Sequence, residues 1–368
     1  MKLAAPQHHS GSYCNTTEHL FRMSGRRWPC HCYARLAVVG AICLIILAGI
    51  PGEYSYAEMT VDEVMGVTPF SSEDWELVKN GKTASTELVK VADRELAIGV
   101  ACLIKEDGRD LLQPFRVERP MLSAKILEAF GQIGKEATLG ALQEVSLGDR
   151  AAEEARHYLQ AEPGFGLNLS AAEIHMFKSI KAKNVGEASI SQVHKTIQSQ
   201  LFQRLEAYRE KGLDGIDEYA REDGESTQLA QNLRASMNAS KGLKELAPYF
   251  HRAWLAYPGG MTANAKESFF WCRLDIEDRP ALSLAHRIDA KSDGAEIIGE
   301  RYFYISRFFD VAHTLVALVP TKEGNLFFYV NRFWVDYWNG LVSVRRAIGK
   351  QVMAGRMKKR LERLGICK

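Results

Sequence analysis

Four basic side chains in the second half of the chain are of types that could bind an acid or move a proton. They are His286, Arg301, His313 and Arg332. Each alternates with apolar residues, so a strand period of two places each on a largely apolar face. A buried arginine costs several kcal/mol unless it is paired. We therefore expect the two arginines either to pair with acids such as Glu300, Asp310 or Asp336 across strands, or to contact an anionic group of a ligand.

The two histidines are compatible with two roles. They are either core histidines whose ring nitrogens are hydrogen-bonded, or general bases beside Asp336 or Glu267. The second role would make the protein a hydrolase or an isomerase. The sequence contains no nucleophile elbow, zinc-binding helix, phosphate-binding loop or dinucleotide fingerprint. It therefore supports no particular reaction, and it predicts neither a cofactor nor a metal site.

Three cysteines remain once the first 57 residues are set aside, and none belongs to a C-x-x-C pair. They are Cys102, Cys272 and Cys367. Ligands for structural zinc, a thioredoxin-like site or covalent haem are therefore missing. Cys102 and Cys272 fall in two strand regions of one predicted sheet, and an oxidising compartment would permit a disulfide between them. The alternative is that both thiols simply pack in the core.

The N-terminus has the layout of a secretory signal. Arginines precede an uninterrupted apolar stretch over residues 36–50. A helix of that length rises only about 22 Å, less than the roughly 30 Å of a bilayer core. The alternative to a cleaved signal is an inner-membrane anchor through residues 34–50.

Small residues before position 58 predict signal cleavage between Ala57 and Glu58. Cleavage there predicts a periplasmic or secreted protein. Because residues 1–22 are polar and show no hydrophobic period, we expect the true start at Met23.

Composition is that of a folded globular protein, with 46% hydrophobic and 25% charged residues among 368. Lys+Arg 47 against Asp+Glu 45 gives a net charge of +2, which does not suggest a nucleic-acid partner. The function must therefore be sought in local features.

The elements that position the four basic residues follow from periodicity and turn signals. Residues 58–149 contain strands over 83–91 and 95–105, and residues 150–258 form a helical insert. Residues 259–368 form an antiparallel meander and a long helix. The meander strands are predicted over 267–276, 281–289, 295–307, 311–320 and 325–337.

The C-terminal helix is strongly basic. Residues 341–368 carry nine basic side chains against one acid, Glu362. The basic residues are Arg345, Arg346, Lys350, Arg356, Lys358, Lys359, Arg360, Arg363 and Lys368. An apolar stripe on the other side predicts core packing with a solvated basic face. The alternative is attraction of this face to an anionic membrane surface.

Two early strands, helices, an antiparallel meander and a closing helix make an element order that resembles the helix-grip fold of START-like and polyketide-cyclase-like domains. The resemblance covers residues 83–105 and 267–363 and rests on element order. The segments 300–304 and 328–332 are also similar to those of an uncharacterised family of exported bacterial proteins. The resemblance implies an α+β fold in which a cavity forms between sheet and helix.

Together these features predict an exported α+β protein that binds an apolar or amphipathic small molecule, such as a lipid. The ligand would lie between the aromatic-rich sheet and the closing helix, or under the helical middle on the other face if that layer stands off the sheet. The four basic residues would supply the polar groups of the cavity. Two other hypotheses stay open. One is a hydrolase or isomerase that uses the meander histidines, and the other is a structural envelope protein with a filled core and no ligand.

Overall fold

A central sheet and two helical layers make up the part of the chain that can be described. The computed structural model describes residues 59–105, 110–117, 119–121, 125–164, 166–180, 186–292, 294–335 and 342–367, with the backbone alone at 223 and 342–348. The predicted cleavage site at Ala57 and Glu58, the apolar segment 34–50, the start at Met23 and the acid Asp336 lie outside these residues. Within them, no helix is long and apolar enough to cross a membrane.

The sheet is antiparallel throughout. Its strands are β1 (Ala84–Glu87), β2 (Glu95–Ile104), β3 (Leu127–Ile133), β4 (Ala265–Ile276), β5 (Arg279–Ser292), β6 (Ala295–Ile305), β7 (Phe309–Thr321) and β8 (Gly324–Val335). Their order across the sheet is β1-β2-β8-β7-β6-β5-β4-β3. The predicted meander is confirmed, because β4 to β8 are consecutive neighbours. The sequence analysis missed β3, which forms one edge.

Tight turns separate the meander strands. Glu277 and Asp278 join β4 to β5 with φ angles of 54° and 59°. Positive φ at both central residues is what a two-residue hairpin needs to match the twist of its strands. The turn therefore ends at Asp278, so Pro280 lies within β5 opposite Asp275 rather than in the turn.

The helices are α1 (Val61–Met65), α2 (Ser72–Lys79), α3 (Gln113–Arg116), α4 (Ala151–Leu159), α5 (Ala171–Lys178), α6 (Glu187–Lys211), α7 (Leu229–Asn238), α8 (Lys241–Leu246), α9 (Pro248–Ala256) and α10 (Val342–Arg363). A capping box begins α5, because the Ser170 hydroxyl accepts from the Glu173 backbone NH at 3.3 Å and the Glu173 carboxylate accepts from the Ser170 backbone NH at 2.7 Å. Gly212 ends α6 with a φ of 58°, and a Cβ there would lie 1.9 Å from the Tyr257 carbonyl oxygen. Only glycine fits this close approach.

Helices α6 and α9 cover one face of the sheet. The large core on this face includes Leu205 and Tyr208 of α6 and Phe250 and Trp254 of α9. A Cβ at Gly299 of β6 would lie 2.7 Å from the Phe250 ring and 2.8 Å from the Trp254 ring. The missing side chain therefore lets α9 rest directly on the sheet. Sheet and helices belong to one compact unit, Tyr56–Lys368.

Helix α10 packs against β2 on the opposite face. Met357 and Leu361 of α10 share a buried cluster with Val100 of β2 and Phe327 of β8. A disulfide closes this layer by joining Cys102 to Cys367, with the two Cα atoms 6.0 Å apart. The predicted bridge between Cys102 and Cys272 is therefore wrong, and Cys272 is a buried free thiol.

Candidate functional site

The four basic residues form one row across four neighbouring strands. His286 of β5 lies opposite Arg301 of β6, Arg301 opposite His313 of β7, and His313 opposite Arg332 of β8. Directly opposed residues project from the same face of an antiparallel sheet. All four are buried, and His286 and Arg301 contact Tyr208 of α6 and Trp254 of α9. The row is therefore on the face opposite α10, and the closing helix cannot contact it.

Arg332 ends the row in an ion pair within the protein. Its Nη1 donates to Glu95 Oε1 of β2 and, at 3.1 Å, to the Val89 carbonyl oxygen. The side chains are 5% and 0% exposed, so both charges are withdrawn from water. The predicted pairing of Arg332 with an acid is thus found, but the acid is Glu95 rather than any of those expected. This arginine has no need of a ligand.

The expected acids lie elsewhere. Glu300 points to the other face of the sheet, where it accepts from Arg287 Nη2 at 2.6 Å. Asp310 accepts from Arg221 Nη2 at 2.7 Å. Neither carboxylate is a partner of the row.

Arg301 is the unusual member, because it is fully buried and has no carboxylate partner among the described residues. Its Nη1 donates to Tyr208 Oη at 2.8 Å, and its Nη2 donates to the Trp254 carbonyl oxygen at 2.8 Å. Its guanidinium carbon lies 4.4 Å from the centre of the Trp254 ring. Since that carbonyl belongs to the last turn of α9, the negative end of a helix dipole and an aromatic face offset the charge. Nε has no partner among the described atoms.

Tyr208 links Arg301 to His286 and thereby defines the histidine tautomer. An arginine can only donate, so the tyrosine oxygen accepts from Arg301 and its single proton is available for His286 Nδ1 at 3.0 Å. The remaining proton of the imidazole is then on Nε2, which faces Glu267 Oε2 at 3.5 Å. At that distance the two atoms form no hydrogen bond, and both lack a partner among the described atoms. Glu267 is partly exposed, whereas His286, Tyr208 and Arg301 are fully buried, so Glu267 is the residue of these four that reaches solvent.

Burial governs the protonation of both histidines. Desolvation lowers the pKa of His286 to about 4, even though Glu267 opposes the shift. The pKa of His313 is lowered well below its usual value by desolvation and then by the charges of Arg332 and Arg301. Both imidazoles are therefore neutral in the folded protein at physiological pH.

We expect His286 to make the protein less stable in mild acid. The unfolded chain binds a proton as pH falls through about 6.5, whereas the folded chain resists protonation until about pH 4, so the free energy of unfolding falls in this interval. Between pH 7 and pH 5 the loss due to this residue is about 2 kcal/mol. Urea unfolding at several pH values measures it.

The variant His286→Asn keeps an acceptor for Tyr208 but cannot titrate. It should lose about 2 kcal/mol less than the parent between pH 7 and pH 5. The control is His175→Asn, because this histidine is exposed in the folded chain as it is in the unfolded one. Parallel pH curves for His286→Asn and the parent would contradict the assignment.

His313 lacks any hydrogen-bond partner among the described atoms. Neither Nδ1 nor Nε2 is bonded, although the side chain is fully buried. The ring contacts Trp334 edge-on with centroids 5.8 Å apart, and the Trp334 Nε1 is also unpartnered. An unsatisfied buried polar group costs roughly 1–3 kcal/mol. His313, which lies between the two arginines of the row, therefore has two ring nitrogens that are free to form hydrogen bonds.

Three residues that complete the row were missed by the sequence analysis: Tyr208, Trp254 and Glu95. Each lies on an element remote in sequence from its partner, so no local spacing could have revealed the contact. Glu267, named beforehand as a candidate beside a histidine, does lie next to His286. His286 and His313 are both fully buried, so in this structure neither imidazole is open to a substrate.

A second cluster, on α4, brings potential cation ligands within 4.8 Å of one another: Glu153, Glu154 and His157. The buried Glu154 is already paired with Arg279 at 2.8 Å and with Arg307 at 3.2 Å. This cluster is therefore better described as a network of ion pairs than as a metal centre.

Comparison with known proteins identifies no relative of this chain. No family model, no curated protein and no solved structure matches the chain.

Proposed function

We propose that the protein binds an amphipathic molecule with an anionic head group, without catalysing a reaction. The observation that carries the proposal is the pair of neighbours Arg301 and His313. A fully buried arginine without a carboxylate stands opposite a fully buried histidine without any hydrogen bond. A carboxylate or a similar acid would satisfy both groups.

Two neighbouring groups of the row could donate hydrogen bonds to such an acid. Arg301 Nε can donate one hydrogen bond, and neutral His313 can donate one from either ring nitrogen. The two oxygens of a carboxylate can accept both. Hydrogen bonds to a charged group in a dry environment are among the strongest that proteins make.

The surroundings suit an apolar tail. Trp254 and Phe250 of α9 and Phe303 and Leu315 of the sheet belong to the apolar core around the row. Because these side chains are closely packed, a ligand would have to displace α9 from the sheet. Displacement would take the Trp254 carbonyl oxygen away from Arg301. The ligand acid would then accept the hydrogen bond in its place and offset the charge of the guanidinium.

We also propose that the fold is of the helix-grip type and that the protein is exported to an oxidising compartment. The first rests on a long helix that packs on one face of the antiparallel sheet, against β2 and the meander strand β8. The second is supported by the Cys102–Cys367 disulfide, since such bonds are rare where thiols are kept reduced. N-terminal sequencing of the protein from its native host tests cleavage between Ala57 and Glu58.

The binding proposal predicts a preference for an acid over its neutral analogue. After delipidation, oleate should bind at least about tenfold more tightly than oleyl alcohol, because its two charged oxygens can accept from both Arg301 and His313, whereas the alcohol offers a single neutral oxygen. Titration calorimetry gives the two affinities. Native mass spectrometry of protein purified without detergent then shows whether such a molecule co-purifies.

The variant His313→Phe separates binding from stability. It removes two unsatisfied nitrogens, so the free energy of unfolding should stay the same or rise, while the preference for oleate falls about tenfold. His194→Phe on α6 is the matched control, and it should keep the preference. Equal affinity of the parent for oleate and oleyl alcohol would refute an acid site and leave the row as a structural network. Turnover of an ester or a lactone that is lost in His286→Asn would favour the hydrolase hypothesis instead.

A further inference from the structure

The outward face of α10 carries an unpaired basic stripe. Val352, Arg356, Lys359 and Arg363 follow one another at intervals of four, three and four residues, which places them on one side of the helix. All four are exposed, and Val352 is 44% accessible. We call these four residues the basic stripe. It extends for about 16 Å along the helix axis.

Two further cations of α10, Lys350 and Arg360, have partners within the protein. Lys350 donates to Glu87 at 2.6 Å, and Arg360 donates to the Tyr329 hydroxyl at 3.0 Å. By contrast, no acid among the described residues forms an ion pair with any cation of the basic stripe. The division follows the helix geometry, because Met357 and Leu361 on the opposite side are buried against the sheet.

A disulfide fixes the position of the helix that carries the basic stripe. Cys367 follows α10 by four residues and is joined to Cys102 of β2, the second strand from one edge of the sheet. The three cations of the stripe therefore keep a common orientation. A planar, negatively charged surface could contact all of them at once.

We propose that the basic stripe docks the protein on an anionic lipid surface. Charge complementarity is the argument: each basic residue near such a surface is worth about 1 kcal/mol, so three together give about 100-fold. The exposed Val352 adds an apolar side chain that can enter the headgroup region. A nucleic-acid partner is less favoured, since the chain as a whole has a net charge of only +2. The stripe and the ligand site lie on opposite sides of the sheet, so this inference does not depend on the proposed function.

The test is flotation of the full chain with two kinds of vesicle, one of phosphatidylcholine alone and one with about a third phosphatidylglycerol. The readout is the ratio of the two partition coefficients at about 0.05 M and about 0.5 M salt. The charge-removing variant is Arg356→Gln, Lys359→Gln and Arg363→Gln combined. A charge-preserving variant combines Arg356→Lys and Arg363→Lys, and a matched control removes three exposed cations elsewhere, at Lys211, Lys241 and Lys266.

We expect the parent to prefer the anionic vesicles at low salt and to lose most of that preference at high salt. The charge-removing variant should lose about 100-fold of the preference, whereas the charge-preserving variant and the control should keep it. Circular dichroism checks that all four proteins are equally folded. An unchanged preference in the charge-removing variant, or an equal loss in the control, would overturn the proposal. So would stripe-dependent binding to duplex DNA without a lipid preference.

Discussion

Glu95→Gln is expected to lower the free energy of unfolding by about 3–5 kcal/mol. The substitution keeps the size of the side chain and removes its charge, so Arg332 remains buried without a counter-charge. Urea unfolding followed by circular dichroism at neutral pH measures the loss. Because both side chains are withdrawn from water, screening by salt should change the result little.

The double variant Glu95→Leu with Arg332→Met is the control. Replacing a buried ion pair by apolar residues of similar volume is often neutral, so it should recover most of the stability that Glu95→Gln loses. A loss below about 1 kcal/mol in Glu95→Gln would show that this pair is far more solvated than the structure indicates.

Removal of the disulfide by Cys102→Ala with Cys367→Ala is expected to cost about 5 kcal/mol. The two cysteines are 265 residues apart, and closing so long a loop takes much entropy from the unfolded chain. The measurement is urea unfolding of parent and variant without reductant. Reduction of the parent should produce a similar loss.

Cys272→Ala is the matched control, because it removes a buried thiol that is not bridged. Peptide mapping without reductant should give a cross-linked peptide pair containing Cys102 and Cys367 in this variant as in the parent. A peptide pair containing Cys102 and Cys272 would contradict the pairing described here.

Much of the sheet was predictable because its signals are local. Turn residues and alternating apolar runs placed β4 to β8 within a few residues of their observed bounds. The short edge strand β3 buries one face only in part, with Ile133 as its one buried residue, so its pattern did not stand out. A strict period of two also puts Ile305 on the face of Arg301, whereas the irregular pairing between β5 and β6 moves it to the opposite cluster.

The row itself was predictable only in part. Periodicity identified its four basic members and their apolar faces, and the register of the strands then aligned them. Their partners could not be predicted, because Glu95, Tyr208 and Trp254 come from distant elements brought in by tertiary packing. The same holds for Cys367, whose bond to Cys102 depends on where α10 crosses the sheet.

The pairing of β2 with β8 bears on how the chain folds. Glu95 and Arg332 are 237 residues apart, and the strands that carry them are neighbours, the second and third of the eight strands across the sheet. Contacts between such distant segments are slow to form, since a long loop must close before they contribute any stability. The helices between them make mostly local contacts and can form earlier. During synthesis, the apolar strand β2 therefore keeps one edge unpaired until nearly the whole chain has emerged, and in that interval the protein is most prone to aggregate.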